Sequence, residues 1–437
     1  MKNIFLIFFA ILFCVPIVAQ KKEIEEPNYR RSSLHLVLVT TDDPILKETE
    51  VMKAWDKYPF PDKYNQHSVE LKKFAAGKPG VSFFEFATQY VKGNSSLPTT
   101  IRELKKLQQF DTDEEAYIKA MIDRISNKIR EEKLAHKLLE KWFNINPDGT
   151  YSMDLIQNRG CYNATEMQAL EASYTLRGRA ILEDAGEELI GNTFVAFCKI
   201  DVYENEPIAK FKFMIVNAIA NLTEGGELIR TAGEIAYLAA KDGYSARTMA
   251  MLYKLNWNDS IKAEFYNCWK DDTHIDYEKF QMTPFNMVLV GNDISIGKAI
   301  APFGINFDEK KLIDLTIVRN IDNLFAKLQA KYEVFKPKFL VLTNPPLTAE
   351  MGMKEGLSGG EKFELLEQIW NTKKNKREYK RVAIVKVDKK QIWDNRYFAG
   401  EENPKQQIDK KTGEPIKSTL LTKFKGAYPG MLLRQIK

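Results

Sequence analysis

From Ile4 to Ala19 the chain is an unbroken apolar run, IFLIFFAILFCVPIVA, preceded by the single charge of Lys2 and followed by Gln20-Lys21-Lys22. At roughly 16 residues it falls short of the ~20 a spanning helix needs, and Val18-Ala19 close it as a cleavage site requires. Residues 1–20 therefore read as a secretory signal peptide. No later run reaches membrane length; the nearest, FMIVNAIANL at 213–222, suits a buried strand or helix, so no transmembrane anchor is expected after cleavage. The expected destination is the periplasm, the outer membrane or the exterior.

Beyond the signal the apolar pattern alternates between strand and helix periods. Leu34 to Thr40 is β-rich, and Ile45, Val51, Met52 and Trp55 mark a helix stopped by Pro59 and Pro61. Thr112 with Glu115 forms a capping box, and Ile118, Met121, Ile125, Ile129, Leu134, Leu138 and Trp142 predict one helix over 112–143. A second helix is predicted over 165–191, ended by Gly191-Asn192, and a continuous apolar strand from Phe194 to Tyr203. EGGELIRTAGEIAYLAAKDG reads as an alanine-rich helix closed by Gly243, ARTMAMLYKLNW as a half-buried strand, FNMVLVGN as another strand, and Asp308 to about Val334 as a helix. From Gly356 only strand patterns remain.

These patterns predict an α+β fold, with a helix-rich α/β N-terminal and central part followed by a small antiparallel β module, sheet or barrel. The expected divisions are an N-terminal strand-helix region at 21–110, a central domain at 111–343, a Pro/Gly linker at 344–360 and the β module at 361–437. The 44% apolar content is that of a globular chain. Mature cysteines are Cys161, Cys198 and Cys268, which leaves any disulfide pairing open and offers no framework.

Charge adds an asymmetry. Residues 371–437 hold 18 Lys and Arg against 7 Asp and Glu, so this end is +11 in a chain of net charge +5, and the remainder is −6. A basic end on an exported protein points to an envelope protein, an anionic glycan or lipid head groups rather than nucleic acid. Trp370, Trp393, Arg396 and Tyr397, with Lys386, Lys389 and Lys390, are the candidate binding residues; the aromatics could form a sugar platform or close a module core.

Catalytic motifs are near-misses. Leu357-Ser358-Gly359-Gly360-Glu361 looks like the signature loop of ABC-type ATPases, but GNDISIGKA at 291–299 has the wrong glycine spacing for a phosphate loop and Ala299 in place of its hydroxyl. Gly359-Gly360 read better as the turn that launches a strand. LTNPPL at 342–347 lacks the aromatic and the glycine-rich loop of an amino-group methyltransferase. DDTHIDYE gathers Asp271, Asp272, His274, Asp276 and Glu278, a donor set that suits a divalent cation such as Ca2+, although such clusters are usually solvated turns; no cofactor is predicted. His35, His67 and His136 are scattered, and His136, among charged neighbours, is expected to face solvent.

The stretches RGCYNATEMQALEASYTLRGRAILEDAGEELIGNTFVAF and GLSGGEKFELLE, YKRVAIVKVDKKQIWDNRY and GMLLRQIK resemble an uncharacterised family of exported Gram-negative envelope proteins. The resemblance implies an exported α+β protein and no particular activity. The leading expectation is a non-catalytic binding or structural protein of the cell envelope that contacts an anionic partner through its basic β module. The alternative is a periplasmic glycan or peptide hydrolase with dispersed catalytic residues.

Overall fold

The computed structural model describes residues 30, 32–41, 48–93, 102–103, 105, 110–162, 186, 188–299, 309–371, 376–396, 407–408 and 413–436. The chain opens with β1 (Ser33–Thr40), α1 (Glu48–Lys57), short strands β2 (Asn65–Gln66) and β3 (Lys73–Ala75), and α2 (Phe83–Gly93). Then come α3 (Phe110–Glu131), α4 (Leu134–Phe143), α5 (Asp154–Tyr162), β4 (Thr193–Glu204), α6 (Asn205–Asn221), α7 (Glu227–Ala240) and β5 (Tyr244–Leu255). Short helices α8 (Asp259–Tyr266) and α9 (Tyr277–Met282) precede β6 (Met287–Ala299) and α10 (Glu309–Lys331).

The strands form one mixed sheet in the order β2-β1-β4-β5-β6, with β3 also on β1. β1 runs parallel to β2, β3 and β4, whereas β4, β5 and β6 are antiparallel. Alternation sends Phe194, Ala196, Cys198, Ile200 and Val202 of β4 to one face, where Ile313, Ile317, Ile321, Leu324 and Leu328 of α10 pack with Val51 and Ala54 of α1. Val195 and Phe197 face the other way, onto Met121, Ile125 and Ile129 of α3 and Leu134 and Leu138 of α4. Both faces of the sheet are thus covered by helices. That is why β5, expected to be half-buried, is buried along nearly all its length.

The expected helix over 112–143 is two helices. Lys133 adopts a left-handed conformation (φ 48°) between α3 and α4, with its ammonium on the Gln281 carbonyl. The break lets α4 turn a second face toward another cluster: Leu134 and Leu138 stay with the sheet, while Ala135, Leu139, Trp142 and Phe143 join Phe265, Phe280 and Phe285. A left-handed residue costs about 1–2 kcal/mol, less than burying Trp142 and Phe143 returns. His136 is turned inward by the same event. It is buried, its Nε2 donates to the Thr283 carbonyl at 2.9 Å, and it meets the rings of Phe280 and Phe285 edge-on, so the solvent-facing expectation is corrected. His35 and His67 are fully buried too, each bonded through Nε2 to a backbone carbonyl.

The predicted helix over 165–191 lies almost wholly outside the described residues. Cys198 and Cys268 are buried free thiols, and burial pushes the Cys198 thiol up to about 12, which keeps it an inert core residue.

The C-terminal module is an antiparallel sheet in the order β10-β9-β12-β7-β8-β11, made by β7 (Lys338–Thr343), β8 (Thr348–Ala349), β9 (Lys362–Asn371), β10 (Lys376–Lys386), β11 (Thr419–Leu420) and β12 (Leu432–Gln435). A single bridge joins Val387 to Leu421, but among the described residues no ladder closes the sheet into a barrel. Its core is Phe339, Val341, Phe363, Leu365, Val385 and Leu433, covered by Leu347, Met351, Leu357 and Leu421. The module therefore begins at Lys338, not at 361, because β7 pairs with β12. Residues 344–360 are not a free linker: they contribute β8, a 3-10 turn at Met353–Glu355 and buried side chains, and Asn344 donates to the Phe424 and Ala427 carbonyls. β12 pairs with β7 only because the chain end returns across the sheet, a contact no local pattern announces.

Candidate functional site

The glycine loop locates the most distinctive surface. Gly359 and Gly360 have φ of +107° and +101°, and a side chain at 359 would overlap that of Lys389. The Glu361 carboxylate accepts from the Ser358 N–H (2.9 Å), the Ser358 hydroxyl (2.8 Å) and the Gly359 N–H (2.9 Å). The donors that a nucleotide phosphate would need are thus already held by the loop's own acid. The other half of the nucleotide reading fails as well, since Gly291 to Ala299 lie inside β6, paired with β5. What the loop does is turn the chain into β9 at Lys362.

At that turn the register gathers lysines. Lys362 opposes Lys386; Thr422, next to Lys423, exchanges bonds with the Lys386 backbone; and Lys389 and Lys390 follow directly, their turn fixed by the Lys390 N–H on Asp388 at 3.0 Å. All five are exposed, and among the described residues none has a carboxylate partner. Nearby acids are otherwise engaged: Glu361 on its own loop, Glu364 on Arg381 and Arg434. The result is a cationic end of the sheet that, among the described residues, no ion pair neutralises.

The predicted binding residues do not all meet there. Lys386, Lys389 and Lys390 do. Trp393 is partly buried, its N–H on the Thr419 hydroxyl and its carbonyl on the Met353 N–H, so it serves the module's packing. Arg396 is exposed but held in a bidentate pair with Asp394, both contacts 2.8 Å, which lowers the Asp394 pKa. Trp370 opposes Arg377 near the other end of β10, about 30 Å of strand from Lys386 at ~3.3 Å per residue. The register therefore places residue 370 at the end of the β9–β10 pair away from Lys386. Tyr397 lies outside the described residues.

The expected cation set is likewise spread along a surface turn. The Asp271 carboxylate accepts from the Thr273 and His274 N–H groups at 2.8 Å, and Asp276 caps α9 through the Lys279 N–H at 3.1 Å. Asp272 and Glu278 are exposed. Among the described residues, no three His, Cys, Asp or Glu side chains are grouped to hold a metal ion.

Sequence reasoning missed a set of buried acids at the seam between the two sheets. Asp322 of α10 accepts the Tyr58 hydroxyl at 2.9 Å on Oδ1, its Oδ2 is buried without a partner, and burial pushes its pKa up to about 6. Across the seam, Glu355 of the module accepts from the Gly352 N–H (2.6 Å) and Asn395 (2.9 Å), and burial raises it too. Between them lies a space of about 20 Å3, room for a single water. The one signal available was Asp322 itself, an acid flanking the Ile317-Ile321-Leu324-Phe325 stripe.

No family model matches the chain, and no curated protein matches it significantly. No helix among the described residues is long and apolar enough to cross a membrane.

Proposed function

We propose that this is an exported, non-catalytic binding protein of the cell envelope that attaches to an anionic partner or surface through the lysine end of its C-terminal sheet. The observation that carries this reading is the set Lys362, Lys386, Lys389, Lys390 and Lys423, exposed at one end of the sheet and, among the described residues, lacking acidic partners. Unneutralised lysines on a rigid sheet raise the local potential and attract polyanions. The hydrolase alternative gains little support, because the raised acids Asp322 and Glu355 enclose space for one water and no glycan or peptide.

The test uses the whole mature chain, since β7 and β8 belong to the module and a fragment starting at 356 would lack them. Retention on anionic-lipid vesicles and on an anionic polysaccharide is compared at 50 and 300 mM salt for the wild type and for Lys386→Gln/Lys389→Gln/Lys390→Gln. With ~1 kcal/mol per lysine near an anionic surface, the triple change should weaken binding roughly 100-fold at low salt. Retention that ignores both salt and the three substitutions would end the electrostatic reading.

A further inference from the structure

A second cavity lies away from the lysine end, in the main domain. It is a groove of about 300 Å3 at the end of the mixed sheet where α6, α2 and α3 meet β5 and β6. That volume, equal to roughly ten waters, falls within the range of small-molecule sites. One wall is apolar: Phe83, Ile208, Ala209, Ile294 and Ile296, the last 52% exposed although it points from the sheet into the groove.

Behind the groove runs a charged network, of which Glu114 and Arg247 reach the lining. On the face of β4 that carries Val195 and Phe197, the next inward positions are Lys199 and Asp201, and Asp201 pairs in register with Arg247 of β5. Lys199 binds Asp201, Arg247 lies 3.6 Å from Asp201 and also binds Glu114 of α3, and Glu114 accepts the Phe83 N–H at 3.0 Å. Lys199, Asp201 and Arg247 are at most 4% exposed. Burying such a chain of charges is weak as a means of stabilising a fold, since replacing it with apolar side chains is often neutral or better. Its two acids and two bases cancel, which leaves Lys212 of α6, exposed at the mouth and, among the described residues, without an ion pair, to set the sign of the groove.

We infer that this groove binds a small amphipathic anion, its apolar body along Phe83, Ile208 and Ile296 and its carboxylate at the Lys212 and Arg247 end. The site is separate from the lysine end, and either can exist without the other.

Titration calorimetry on the whole protein with decanoate, decanol and decyltrimethylammonium tests it. Decanoate should bind with a stoichiometry of one and at least 10-fold more tightly than either of the others. Lys212→Glu, on an exposed position, should weaken decanoate at least 10-fold, and Ile296→Glu should abolish binding. Ile235→Glu, on the exposed face of α7, should leave it unchanged. If Ile296→Glu does not fold, as judged by its melting curve, Ile296→Ala replaces it with a smaller expected loss. Absence of saturable decanoate binding, equal binding of the cationic probe, or decanoate binding that Lys212→Glu leaves intact would each overturn the assignment.

Discussion

Replacing Asp322 with Asn should stabilise the protein at neutral and alkaline pH and do little in acid. Asp322 is 4% exposed, with Oδ1 on the Tyr58 hydroxyl and Oδ2 unpartnered. Burial raises its pKa from 3.8 to about 6, against the weaker pull of Lys354 and Tyr58 in the other direction. A raised acid favours the protonated folded state. Its contribution is therefore complete below about pH 3.8, the unfolded value, and is lost as pH rises through about 6. A shift of about 2 units at 1.36 kcal/mol each sets a ceiling of about 3 kcal/mol on what ionisation costs above pH 7. Asn keeps an acceptor for Tyr58 and carries no charge, so D322N should gain ~1–3 kcal/mol at pH 8 and a few degrees in Tm. Urea unfolding of both proteins at pH 4.5, 6 and 8 isolates this group, because every other titration is common to the two curves. A difference that stays constant from pH 4.5 to 8, or an Asn variant less stable at pH 8, would refute the reasoning.

Arg247→Met should cost about 3–5 kcal/mol in urea unfolding, because it leaves the partly buried Glu114 without its cation and the buried Asp201 with Lys199 but not Arg247; a loss under 1 kcal/mol would mean that water already screens the network. Gly359→Ala should lower stability by ~1–3 kcal/mol, as alanine at φ +107° is strained and meets Lys389, whereas Gly413→Ala (φ +72°, open surroundings) should cost less. Both are read from thermal melts.

Much of the architecture was legible because it is periodic. The β-rich run Leu34–Thr40, the apolar run Phe194–Tyr203 and the stripe in α10 name strand, buried strand and amphipathic helix, since each signal is local. The lysine end was legible in part: Lys386, Lys389 and Lys390 are close in sequence and stay close in space. Trp370 and Trp393 are also close in sequence, yet the β9–β10 hairpin carries them to different ends.

By itself, then, the order of residues determined the α+β class, the buried strand β4, the basic C-terminal end and the turn that Gly359-Gly360 must make. Only the tertiary structure decided that α3 and α4 part at Lys133, that His136 is a core residue, that the module starts at β7, and that Asp322 and Glu355 face one space. Periodicity reports which face of an element is buried. It is silent on what buries it, and Arg247 finds Glu114 across 133 residues only when the sheet and α3 have packed together.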